Sequence, residues 1–173
     1  MNYKSQAGFN LVELMTTIVI ASALITMAYP SFKELILHTR ANASISSIQQ
    51  SIQLARNMAI NYGLPITVCP LVNNKCTRDW SNGFSIFIDG ANRNTLDDND
   101  KIIQSISAFH QDDIVQYNRL AIRFKATGFA SGTNGTLTYC PETYDSPHSR
   151  AIIVNQAGRV RFSDNKTIIC SNK

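Results

Sequence analysis

Residues 8–30 read GFNLVELMTTIVIASALITMAYP, and from Phe9 to Tyr29 the run carries a single charge, Glu13. A helix needs about 20 predominantly apolar residues to cross a bilayer, so this stretch qualifies. An ordinary secretory signal is cut after its apolar stretch. Here the small residue, Gly8, comes before it. A cut between Gly8 and Phe9 would remove the leader MNYKSQAG and leave the apolar helix on the mature chain. Lys4 in the leader favours holding that end on the cytoplasmic side. A carboxylate such as Glu13 costs about 2.5–3.5 kcal/mol at mid-membrane, and less near the interface. Its natural partner is the free amine a cut would create at Phe9, in the same or a neighbouring subunit, which would supply attraction and register during assembly. The alternative is a tolerated polar residue near a helix end.

Gly8, Phe9, Leu11, Glu13 and Leu14 together resemble the class III leader of type IV pilins and type II secretion pseudopilins. The resemblance implies that a prepilin peptidase cuts after Gly8 and methylates Phe9. It also implies assembly with other major and minor pilins from the bacterial inner membrane into an extracellular filament.

Pro30 ends the apolar run, and helical periodicity resumes after it. Phe32, Leu35, Ile36, Ile45, Ile48, Ile52, Leu54, Ala55, Met58 and Ala59 fall at spacings of three and four, an amphipathic stripe. Gly63 is placed to cap the helix in the left-handed conformation, with Pro65 just beyond. A continuous helix from Phe9 to Tyr62 would run about 80 Å at ~1.5 Å per residue. Beyond Gly63 the pattern changes to short β-type runs: 66–69, 84–88, 101–107, 120–125, 135–140, 151–155, 159–162 and 167–170, parted by turn-rich segments. The expected class is α+β, an antiparallel sheet packed on the second half of a long helix. The expected divisions are a leader (1–8), a membrane or filament-core helix (9–30), its amphipathic continuation (31–63) and a β-rich head (64–173). ARNMAINYGLPITVCP, WSNGFSIFID, GTLTYCP and AIIVNQAGRVRF, in that order, resemble the GspH/FimT branch of minor pilins, which implies a head of two β-sheets.

The net charge of +4 is uneven. Residues 31–113 hold 7 Lys/Arg and 8 Asp/Glu, whereas residues 114–173 hold 8 Lys/Arg and 3 Asp/Glu. A basic segment beside a neutral one points to an anionic partner, or to a solubilising surface. Outside the cytoplasm, four cysteines imply disulfides, with three possible pairings. Cys69–Cys76 would close the loop CPLVNNKC, and Cys140–Cys170 would pin the C-terminal tail. Zinc is the competing reading, but the spacings contain no C-x-x-C pair.

AIIVNQAGRVRF reads as a β-hairpin with the loop Gln156-Ala157-Gly158 and Gly158 left-handed. Val154 then faces Val160 and Ile152 faces Phe162, all on one side, while Arg159 and Arg161 share the other. The two arginines fall about 7 Å apart at ~3.4 Å per residue, close to the separation of successive phosphates on a DNA strand. Guanidinium forks bind phosphate bidentately. Lys166, Arg150, Arg123 and Lys125 could extend the footprint. Gly158-Arg159-Val160-Arg161 resembles the GRxR pattern of FimT-type minor pilins, which implies DNA binding in natural transformation through Arg159 and Arg161, with Gly158 as turn former. The related secretion pseudopilins, which prime assembly without DNA, are the alternative.

Other features carry less. The acidic loop from Asp89 to Asp100 has Ala91, Arg93 and Asn94 where a calcium loop needs two oxygen ligands and a glycine, so a loop of Asx turns is expected. His38, His110 and His148 sit in no catalytic motif. Trp80 and Tyr62 read as core or loop anchors rather than base-stacking platforms. No enzymatic activity, metal or cofactor is expected.

Overall fold

A computed structural model describes Gly8, residues 10–130 and residues 132–171. Lys4 and Phe9 lie outside the described residues, so the expected processing site is represented by an exposed Gly8 alone. One helix, α1 (Leu11–Tyr62), is followed by β1 (Ile66–Cys69), β2 (Leu71–Val72), β3 (Lys75–Cys76), a 3-10 turn (Trp80–Asn82), β4 (Phe84–Ile88), β5 (Ile102–Ile106), β6 (Ile114–Tyr117), β7 (Ile122–Phe124), β8 (Gly135–Cys140), β9 (Arg150–Val154) and β10 (Val160–Phe162). The chain divides into two compact units at His38/Thr39.

In the first unit α1 runs through Pro30. Thr16, Thr17, Ser22 and Thr26 each donate their hydroxyl to the carbonyl three residues back. Turned onto the helix in this way, they leave an apolar surface on a segment long and apolar enough to span a membrane. Phe32, Leu35 and Ile36, expected to start the packed stripe, are exposed. The division between units therefore falls inside the expected 31–63 segment.

In the second unit the stripe is Ala41, Ile45, Ile48, Ile52, Ala55 and Ala59, spaced four, three, four, three and four. Large isoleucines at its centre fill the core, each worth about 1.5–3 kcal/mol when buried. The flanking alanines let the sheets approach the backbone. Two antiparallel four-stranded sheets, ordered β5-β4-β1-β7 and β10-β9-β8-β6, close over it. Ile66, Val68, Phe84, Ile86, Ile122 and Phe124 come from the first, and Val115, Tyr117, Leu137, Tyr139, Ile152 and Val154 from the second. Trp80, fully buried, packs its ring 5.5 Å from both Phe84 and Tyr117. Tyr62, expected as an anchor, is exposed. Gly63 ends the helix with φ 65.

Cys69 pairs with Cys76, and Cys140 with Cys170. The second bond closes a 30-residue separation and stabilises by about 3.5 kcal/mol on chain-entropy grounds. It holds the tail against the outer face of the second sheet, where Gln116 exchanges hydrogen bonds with the Ser171 backbone at 2.7 and 2.9 Å. The expected strand at 167–170 is therefore a correction: Cys170 bonds to the Tyr144 carbonyl rather than joining a ladder. The acidic loop folds on its own carboxylates. Asp89 accepts from Thr67, Arg123 and Asn94, Asp97 from Asn92, and Asp100 from Gly90 and Asp97.

Burial raises the pKa of Tyr117 and of Tyr139, the latter further through its hydrogen bond to Asp113. In the unfolded chain both ionise near about pH 10. Protons are then lost from the unfolded state first, so stability is full below that pH and falls as pH rises above it. Urea melts at pH 8 and 11 should show a lower midpoint at pH 11, an effect absent in the Tyr117→Phe/Tyr139→Phe variant.

Candidate nucleic-acid interface

The hairpin β9–β10 has the expected register, with Val160 opposite Val154, Arg161 opposite Ile153 and Phe162 opposite Ile152. Its loop is closed three times by Asn155. The Asn155 N–H donates to the Arg159 carbonyl (3.0 Å), its carbonyl accepts from Gly158 (2.9 Å), and its Oδ1 accepts from the Arg159 N–H (2.8 Å). Asn155 was legible only as a strand end, although Asn at such a corner is a common loop former. Gly158 takes φ 77 as the loop requires. Val154 and Val160 are buried, and Arg159 and Arg161 are exposed. Phe162, expected on the buried side, is 43% exposed. It lies on an edge strand and borders an open groove with Asn42 and Ser46, so only part of the ring is covered.

The basic candidates separate into two groups. Arg159, Arg161, Lys166 and Lys125 are exposed. Arg161 pairs with Asp164 at 2.9 Å, and Asp164 is 94% exposed. Such a surface pair is worth about 0–1 kcal/mol, weak enough for a phosphate to displace. Arg123 and Arg150 are held by the protein. Arg123 lies in the other sheet, its Nε 3.0 Å from buried Asp89 and its Nη2 donating to the Asp89 carbonyl. Arg150 pairs across the ladder with Tyr139, on the inner side, and donates to Asn42 Oδ1 at 2.9 Å and to the Ser149 carbonyl. Neither shares the surface of Arg159 and Arg161.

Lys125 reaches the hairpin by an indirect route. After β7 the chain turns through Gly128 (φ 78), and Ala130 donates to the Gln156 carbonyl at 3.1 Å. The turn starting at Lys125 is thereby laid beside the hairpin loop. A surface with exposed guanidinium and ammonium groups on two adjacent turns can hold phosphate oxygens without reading bases.

A long apolar N-terminal helix continued into a head of antiparallel sheets is the type IV pilin-like α+β fold. The chain belongs to the GspH family: the family described as type II transport protein GspH matches residues 44–158. That match ends at Gly158, one residue short of the two hairpin arginines. Two crystal structures of the type IV minor pilin FimU of Pseudomonas aeruginosa share the fold at TM-scores of 0.59 and 0.56, each with 19% identity. They cover 72% and 70% of this chain and 89% and 91% of FimU. No curated protein matches the sequence.

Proposed function

We propose that this chain is a minor type IV pilin that binds double-stranded DNA through its β9–β10 hairpin and serves DNA uptake in natural transformation. The observation that carries the reading is the pair Arg159 and Arg161, exposed on a hairpin whose loop is fixed by Gly158 and Asn155. The local basic excess of residues 114–173 supports it. In this reading a prepilin peptidase cuts at Gly8–Phe9, the apolar helix holds the subunit in the inner membrane, and Glu13 engages the new amine as subunits join the filament. DNA contacts made by Lys125, Lys166 and the two arginines are phosphate contacts, sensitive to salt and indifferent to sequence.

The test is fluorescence anisotropy of a labelled duplex titrated with the detergent-solubilised full chain at several salt concentrations. Arg159→Ala and Arg161→Ala should each lower the slope of log K against log salt by about 0.9. Asp164→Asn, which frees Arg161, should tighten binding. No binding by wild type at low salt, or wild-type slopes in both arginine variants, would sink the DNA reading. The family's description as a transport protein then favours the second reading, a structural minor pilin or secretion pseudopilin that primes assembly without nucleic acid.

A further inference from the structure

We infer that Arg56 is the positioning residue of this DNA-binding tip, joining the hairpin loop and the Lys125–Ala130 turn into one phosphate-binding surface. The inference rests on the DNA reading of the hairpin. Arg56 lies on the part of α1 packed in the head and is partly buried. Its Nε donates to the Gly128 carbonyl at 3.2 Å, and its Nη2 to the Ala157 carbonyl at 3.3 Å. One guanidinium fork thus reaches a carbonyl on each turn, residues 72 and 101 positions away in sequence. It has no ion-pair partner among the described residues. Its planar donors serve one backbone carbonyl from each loop, that of Gly128 partly buried and that of Ala157 exposed.

The surrounding geometry leaves little slack. A Cβ on Gly158 would sit 1.9 Å from the Gly128 carbonyl oxygen and 2.9 Å from Arg56 Nε. A Cβ on Gly128 would sit 2.8 Å from Ile60 Cδ1, one helical turn beyond Arg56. Both glycines have positive φ. The two turns therefore meet backbone to backbone over the helix, and the Ala130–Gln156 hydrogen bond fixes their offset. With the turns locked, what faces outward is Arg159 from one and Lys125 and the 51% exposed Phe129 from the other. Phosphate contacts from two loops add only if the loops hold a fixed separation, since ordering them on binding would consume the gain.

Lysine separates positioning from charge, because it keeps the charge and loses the fork. In the full chain in detergent, Arg56→Lys should weaken duplex binding about tenfold, the equivalent of a little more than one ordinary hydrogen bond, with the salt slope unchanged. Without DNA, amide exchange at Ala130 and Gly158 should speed up in the same variant. Lys125→Ala should lower the slope by about 0.9. Wild-type affinity and exchange in Arg56→Lys overturn the inference. So does a slope about 0.9 lower in Arg56→Ala than in Arg56→Lys, since only alanine removes a charge that a direct phosphate ligand would supply. An unchanged slope in Lys125→Ala removes the second turn from the surface and overturns the inference as well. Each of these leaves the hairpin reading standing if Arg159→Ala still lowers the slope, whereas failure of wild type to bind overturns both.

Discussion

Asp113→Ala is expected to lower the stability of the head by about 3–5 kcal/mol, the loss typical of a broken buried ion pair. The Asp113 side chain is fully buried, and Arg40 Nη2 lies 2.9 Å from its Oδ1. Its other oxygen accepts from the Tyr139 hydroxyl, and Oδ1 also accepts from the Glu142 N–H at 3.3 Å. One carboxylate therefore joins α1, the start of β6 and the end of β8. Alanine leaves a largely buried guanidinium with only Glu142 Oε1, 3.9 Å away, and removes the acceptor of a buried phenol. At roughly 3 °C per kcal/mol the melting midpoint should fall by about 10 °C. Asp113→Asn retains an acceptor for Tyr139 and loses the charge, so it should fall between. Arg40→Met with Asp113→Leu removes both charges, and should recover much of the loss if the damage in Asp113→Ala comes from the stranded arginine. Thermal denaturation of the four proteins decides it: a midpoint within a degree of wild type for Asp113→Ala would show that the network contributes nothing.

That network rests on contacts that no local sequence pattern encodes. Ile66–Cys69, Phe84–Ile88 and Gly135–Cys140 were legible because compact apolar runs lie between turn residues. Ile114–Tyr117 was not expected as a strand. The Asp112-Asp113 pair before it reads as loop, and nothing local says that one of the two carboxylates is buried against a helical arginine. Conversely, TIIC at 167–170 has strand composition but is captured by a disulfide and by Gln116. The hairpin was legible down to its register, since its loop length and alternation are local properties. Which basic residues stand beside Arg159 was not. Charge counts treat Arg123, Arg150 and Lys125 alike, while the fold gives the first to Asp89, the second to Asn42, and brings the third beside the hairpin loop. Arg56 left no local trace, because both carbonyls it joins are distant in sequence.

Gly158→Ala should be the most damaging small substitution at the tip. Two effects add there. With φ 77 the position is left-handed, which costs a residue with a Cβ about 1–2 kcal/mol. The new methyl would also lie 1.9 Å from the Gly128 carbonyl oxygen. That oxygen cannot simply retreat, since it accepts from Arg56 and its neighbour Ala130 is tied to Gln156. Relief requires separating the two turns, a strain of about 1–3 kcal/mol by analogy with overpacked cores. The sum is roughly 2–5 kcal/mol, and separation of the turns also displaces Arg159, the next residue. On the proposed DNA reading, duplex affinity should therefore fall to that of Arg159→Ala even though Arg159 remains. Gly132→Ala is the matched control: its φ is 74, but nothing lies within 4 Å of a new Cβ. It should show the backbone cost alone, about 1 kcal/mol, with DNA binding intact. Equal melting midpoints for the two alanine variants would mean that the contact between the turns gives way freely, and that Gly158 is needed for its φ and nothing more.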